Sequence, residues 1–350
     1  MNPCDLKDTL QKLFTQPERK ASLLLLGAPG VGKTAIVAQA AEYARKRLIT
    51  FALPTCEAID LRGLPTAQNG KTVWNSPLPR DGEGILLLDE LSSAAPDVQV
   101  AAHHLVWAEA GSDMSVPSGW HIVLTGNRAQ DKTLFRATSA PLRNRLTLLN
   151  IEPDVEQWAN WAMKSKVSPS VIAFIRWRPE LLTAKEIPGE GAFTSPRAWQ
   201  RAGDLLSLAV SPAVERELLM GTVGEGATTE FAAYLRTVRE LPSIEAIMAS
   251  PAKAEVPKSP SLLYALTTAL SQYTREKQES AMPYIKRLPA EFALLFIRDI
   301  RDKFDIATDK DIRNWIAEHH RLFQRDENLS TTQTKVWACK SNPTPRLPSS

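Results

Sequence analysis

Gly27-Ala28-Pro29-Gly30-Val31-Gly32-Lys33-Thr34 is the stretch that decides how this chain folds. Before it stands Ala21-Ser22-Leu23-Leu24-Leu25-Leu26, a short apolar run that reads as a buried strand. After it, Ala35-Ile36-Val37-Ala38-Gln39-Ala40-Ala41 reads as a helix. The spacing G-x-x-x-x-G-K-[ST] between a strand and a helix is that of a P-loop. Its glycines let backbone N–H groups turn inward around phosphate oxygens, and the start of the following helix adds partial positive charge. Lys33 is then expected at the β- and γ-phosphates of a nucleotide, and the Thr34 hydroxyl on Mg²⁺.

Outward from the loop, Ile85-Leu86-Leu87-Leu88-Asp89-Glu90 has four apolar residues ending in two carboxylates. This suits a central parallel strand with its acids at the C-terminal edge, where ligands bind in open α/β sheets. Asp89 is expected to hold Mg²⁺, directly or through water, and Glu90 to polarise the water that attacks the γ-phosphate. His121-Ile122-Val123-Leu124-Thr125 is another strand, ending at Gly126-Asn127-Arg128. Asn127 fits two readings: an amide hydrogen-bonded to the attacking water or the γ-phosphate, or a turn residue, which asparagine also suits. Ile49–Leu53, stopped by Pro54, and Leu146–Ile151 complete five strands, and Ser139–Arg145 reads as a short capped helix before the last. Strands alternating with helices predict an α/β fold: a five-stranded parallel sheet with helices on both faces.

Leu6, Leu10, Leu13 and Phe14 at helical spacing predict an amphipathic helix over 3–16, lying against this core. Residues 55–84, rich in Gly, Pro and Asn, read as loops with a small hairpin at Gly70 and Thr72–Trp74, and 111–119 as a second hairpin or loop. Pro96 opens a helix through Val98, Ala101, Ala102, Leu105 and Ala108. Its His103 and His104 point in different directions and read as packing or surface residues rather than a metal pair.

A helical region follows from 152. Asp154 with Gln157 resembles a capping box, and Ser168-Pro169 starts a further helix. Trp158, Trp161, Trp177 and Trp199 suggest a small aromatic core. Ser195-Pro196-Arg197 starts another helix and sets Arg197 at the positive end of its dipole. That placement is mildly unfavourable unless an anion, such as a nucleotide phosphate, lies nearby; an exposed arginine tolerated at small cost is the other reading. Residues 204–240 look helical, and Pro251, Pro257 and Pro260 mark a linker or exposed loop. Helices are expected at 261–275, 289–304 and 309–323, with Gln278-Glu279-Ser280 and Met282-Pro283 as breaks. Residues 327–350, rich in Ser, Thr and Pro, are expected to be a disordered tail.

At 350 residues the chain is long enough for two or three domains. A formal charge of +3 gives no push toward nucleic acid or membrane, since following a phosphate backbone takes several basic contacts. Cys4, Cys56 and Cys339 lie far apart and fit no metal spacing, which points to a reduced cytoplasmic setting. Asp5 and Asp8 near the start argue against a secretory signal, and the longest apolar runs are strand-length, so no membrane span is expected.

Taken in order, GAPGVGKT (27–34), ILLLDEL (85–91), VPSGWHIVLTGNR (116–128), APLRNRL (140–146) and TSPRAW (194–199) resemble a MoxR-type AAA+ ATPase, close to the dynein-related branch. The resemblance covers roughly residues 15–210. It implies that Lys33 and Thr34 match the Walker A pair, Asp89 and Glu90 Walker B, and Asn127 sensor 1. Arg145 matches the arginine finger given to a neighbour's nucleotide, with Arg143 as runner-up, and Arg197 matches sensor 2. The same resemblance implies a ring, usually a hexamer, that binds ATP with Mg²⁺ at subunit interfaces. It also implies chaperone-like action on a protein client, often with a partner bearing a von Willebrand factor A domain. The hairpins at 68–76 and 111–119 occupy places where such ATPases insert loops facing the pore or a partner. Expected boundaries are 1–151 for the nucleotide-binding domain, 152–210 for a helical lid, 211–326 for a further helical region and 327–350 for the tail. The alternatives are a nucleic-acid motor or loader, and a scaffold that binds ATP and hardly hydrolyses it.

Overall fold

The computed structural model describes residues 1–69, 71–108, 115–128, 143–241, 243–273 and 275–301. The expected helix at 309–323 and the tail at 327–350 lie outside these residues, as do Gly70 and residues 111–114. The chain divides into two compact units, Met1–Arg236 and the residues from Thr237 on.

The first unit is organised on strands β1 (Ser22–Gly27), β2 (Arg47–Ala52), β5 (Gly84–Asp89), β6 (Trp120–Gly126) and β7 (Leu146–Ile151), in the order β2-β5-β6-β1-β7. Every pairing is parallel. Alternate residues of each strand serve opposite faces, which is why the strands read as unbroken apolar runs. Leu23, Leu25, Ile85, Leu87 and Val123 pack against α1 (Pro3–Phe14) and α2 (Lys33–Tyr43). Leu24, Leu86, Leu88, Ile122 and Leu124 pack against α3 (Ala58–Arg62) and α4 (Pro96–Trp107). Among the described residues, then, helices cover both faces of a five-stranded parallel sheet, as the pattern predicted. Each of these fully buried leucines contributes about 1.5–3 kcal/mol relative to an exposed one.

Between β2 and β5 the strands β3 (Leu64–Gln68) and β4 (Lys71–Asn75) form an antiparallel hairpin outside the main sheet. Asn2 caps α1 by accepting from Asp5 N–H at 2.8 Å, and Leu6, Leu10 and Phe14 are its buried stripe.

Past the sheet come α5 (Val155–Lys164), α6 (Pro169–Trp177), α7 (Pro196–Leu206), α8 (Pro212–Val223) and α9 (Glu225–Arg239). The capping box at Asp154 is half made: its carboxylate accepts from Gln157 N–H at 2.9 Å. The Gln157 side chain instead accepts from Cys4 N–H at 2.8 Å and so ties α1 to α5. Trp199, Phe174, Phe231, Tyr234 and Trp177 make the aromatic core, with ring centroids 4.8–6.2 Å apart. Burial raises the Tyr234 phenol above its ordinary range. Among the described residues two tryptophans depart from the expectation: Trp158 is buried without a ring contact to this core, and Trp161 is 37% exposed.

The second unit holds α10 (Ile244–Ala249), α11 (Pro260–Leu270), α12 (Arg275–Ile285) and α13 (Ala290–Arg301). The expected breaks at Gln278–Ser280 and Met282-Pro283 are not breaks, because α12 runs through both with Pro283 inside it. A proline there removes one helix hydrogen bond near the C-terminus. Burial of Ala281, Met282, Tyr284 and Ile285 in the unit's core outweighs that loss. The proline-marked loop is pinned down: Tyr284 Oη donates to Glu255 O at 2.8 Å and Arg287 Nη1 to Ala254 O at 2.7 Å.

Candidate active site

Sheet register brings the predicted residues together. β1 and β6 run in step, Leu26 opposite Gly126, so the loop after β1 begins beside Asn127. β5 and β6 run in step as far as Leu88 opposite Leu124, so Asp89 comes level with Thr125. Three strand tips therefore meet at the C-terminal edge of the sheet.

In the loop, Gly30 (φ +75°) and Gly32 (φ +95°) hold left-handed conformations that cost other residues about 1–2 kcal/mol. Gly32 precedes α2 and no side chain caps it, so the first-turn N–H groups face the loop's hollow. Lys33 is buried, and its ammonium donates to Gly27 O at 2.8 Å, Ala28 O at 3.2 Å and Asn127 Oδ1 at 3.2 Å. The Thr34 hydroxyl lies 3.0 and 2.9 Å from the two oxygens of Asp89.

Two residues to which the sequence assigned no part in the site brace this edge. Thr125, fully buried, donates from its hydroxyl to Asp89 Oδ1 and accepts from Glu90 N–H at 2.9 Å. One hydroxyl thus sets both acids. Glu90 needs that support, for it is a non-glycine residue in the left-handed region (φ 60°, ψ 43°) with its side chain exposed. Ser92 Oγ accepts from Asn127 N–H at 2.9 Å, which locks the β5 and β6 tips to each other. The signal for Thr125 was a hydroxyl closing the apolar strand two residues before Asn127.

The helix carrying Arg197 sits on the loop. Ser195 Oγ caps α7 by accepting from Ala198 N–H at 3.1 Å. A Cβ at Gly30 would lie 3.1 Å from Ser195 Oγ and 3.3 Å from Arg197 Cβ. Arg197, exposed at the second position of α7, therefore stands beside the P-loop.

Arg145 is not part of this cluster. The parallel ladder sets Ser22 opposite Leu146 and Gly27 opposite Ile151. Arg145 thus precedes the start of β7, and at about 3.3 Å per residue it lies about 16 Å or more from its own loop. Its side chain is exposed and stacks on Trp107 of α4, Cζ 3.4 Å from the ring centroid. Arg143 is also exposed, while Ala140–Leu142 lie outside the described residues. His103 packs edge-on against Trp107 at 5.2 Å and is held below the usual histidine pKa by burial, then by His104 and Arg145.

No group of three or more His, Cys, Asp and Glu side chains among the described residues is arranged to hold a metal. The Thr34–Asp89 oxygens instead suit Mg²⁺, a hard cation that keeps several waters and takes substrate phosphates as ligands. No helix among the described residues is long and apolar enough to cross a membrane.

A P-loop between β1 and α2, with acids on the next-but-one strand of a parallel sheet, defines a P-loop α/β fold. Residues 22–146 match the family model for the AAA domain, dynein-related subfamily, which supports an AAA+ ATPase domain there. No curated protein matches the chain. Among solved structures, NtrX from Brucella abortus is 16% identical with a TM-score of 0.41, the match covering 85% of this chain and 67% of NtrX. The RuvB Holliday junction branch migration motor of Thermotoga maritima is 15% identical with a TM-score of 0.36, covering 81% of this chain and 86% of RuvB.

Proposed function

We propose that the chain hydrolyses ATP to ADP and phosphate in a ring of identical copies, a hexamer, and uses the cycle to remodel or activate a protein partner in the MoxR manner. One observation carries the reading. The loop, acids and amide converge at one sheet edge, while Arg145 stands at the other, about one strand length away. An arginine side chain cannot span that gap, so phosphate chemistry by Arg145 requires a second copy.

In this reading the loop N–H groups and Lys33 hold the β- and γ-phosphates, Lys33 exchanging its loop carbonyls for phosphate oxygens. Thr34 and Asp89 would hold Mg²⁺, which when bound neutralises charge on the phosphates. Glu90 orients the attacking water and takes its proton, and Asn127 hydrogen-bonds to that water or to the γ-phosphate. Arg197 reaches the phosphates of its own copy from the lid at 152–210. Arg145 of the adjacent copy stabilises the charge that develops, an effect of about 10³–10⁵ in rate in related P-loop enzymes. A cytoplasmic setting and a partner with a von Willebrand factor A domain belong to the same proposal.

The test is complementation. Arg145→Ala should bind ATP like the parent and lose turnover about 10³-fold. Glu90→Gln should also bind and not hydrolyse. Mixed, the two should regain activity, since each supplies what the other lacks. No regain, or full-rate turnover by a monomer, would remove the shared site. A rate stimulated by DNA and suppressed by salt would favour the nucleic-acid motor instead.

A further inference from the structure

Arg145 is held in an unusual way for a surface cation. Among the described residues no carboxylate pairs with it; its guanidinium lies instead on the face of Trp107, Cζ 3.4 Å from the ring centroid. That distance is full face contact, well inside the range of about 6 Å within which such pairs attract. Trp107 is itself 48% exposed, a large indole left on the surface at the end of α4.

The helix brings it there for a geometric reason. α4 starts just past the acid-bearing tips and has 12 residues, so it runs about 18 Å back along the sheet. Its last residue ends beside the start of β7. The His103 ring, one turn earlier, packs edge-on against the indole and sets its tilt.

A carboxylate would hold Arg145 more firmly but would compete with an incoming phosphate. An aromatic face restrains the side chain while leaving its N–H groups and full charge available. We propose that Trp107 is a positioning residue, an indole platform that presents Arg145 to the terminal phosphate of ATP bound in a second copy of this chain. The proposal rests on the shared-site reading above.

The experiment measures kcat and KM for MgATP in the full chain for Trp107→Leu, Trp107→Phe, Arg145→Ala and the double variant Trp107→Leu/Arg145→Ala. Trp107→Leu should lower kcat roughly 5- to 30-fold with KM within about twofold, and Trp107→Phe, which keeps an aromatic face, should recover most of that loss. In the Arg145→Ala background, Trp107→Leu should have no further effect. Equal losses for Leu and Phe, a rise in KM without a fall in kcat, or an additive loss in the double variant would overturn the platform while leaving the shared site standing. An Arg145→Ala variant with parental kcat would overturn the shared-site reading and the platform with it. Should Trp107→Leu not fold, Trp107→Met against Trp107→Phe reads the same difference, a thermal unfolding curve certifying each.

Discussion

Lys33 and Arg145 are two cations that the proposed function brings to one reaction, and the chain holds them by opposite means. Lys33 is buried and gripped by three neutral oxygens from the loop and the neighbouring strand tip. Arg145 is exposed and rests on an indole face at the far edge of the sheet. The difference teaches what each can do. In the proposed ring, the cation enclosed by its own loop would serve the ligand that this loop binds, and the cation at the opposite edge would serve a second copy.

The comparison breaks first at Lys33. Lys33→Ala should weaken ATP binding at least about 100-fold and abolish turnover, whereas Arg145→Ala should leave affinity intact. A calorimetric titration with MgATP decides it: unchanged affinity in Lys33→Ala would refute the P-loop assignment. A smaller effect separates the bracing from the chemistry. Thr125→Val removes the hydroxyl shared by Asp89 and Glu90 N–H and should lower turnover roughly 5- to 150-fold, the rate equivalent of about 1–3 kcal/mol for an unmet buried polar group. Thr125→Ser should stay near the parent, and a parental rate in Thr125→Val would show that the acids need no brace. The smallest expected effect is on the loop's fit to α7. Gly30→Ala forces a side chain into a left-handed position against Ser195 and should lower stability by about 1–2 kcal/mol. A denaturant midpoint equal to the parent's would mean that loop and helix yield at no cost.

What was legible in the sequence was what depends on near neighbours. The P-loop spacing, the apolar strands ending in Asp89-Glu90 and the Ser195 cap are each written within about eight residues, and the structure has them. The Thr125 bridge and the Trp107–Arg145 stack were not legible. The first depends on which strands lie side by side and in what register, the second on where α4 ends against the start of β7, and local spacing carries neither. Pro283 shows the reverse error: a breaker rule that is sound locally loses where the flanking residues are fully buried. Gln157 shows it in miniature, for the capping pattern was right about the backbone and α1 claimed the side chain.

The strand that leads into the Lys33 loop and the strand that follows Arg145 also differ in their neighbours. β1 is laddered on both sides, while β7 is an outermost strand attached to β1 alone. A strand laddered on one side only has fewer contacts to resist local opening. In the proposed ring, a brief loosening of β7 would swing its arginine out of line and leave the phosphate cradle undisturbed, so the shared site would be more fragile than each copy's hold on its own nucleotide.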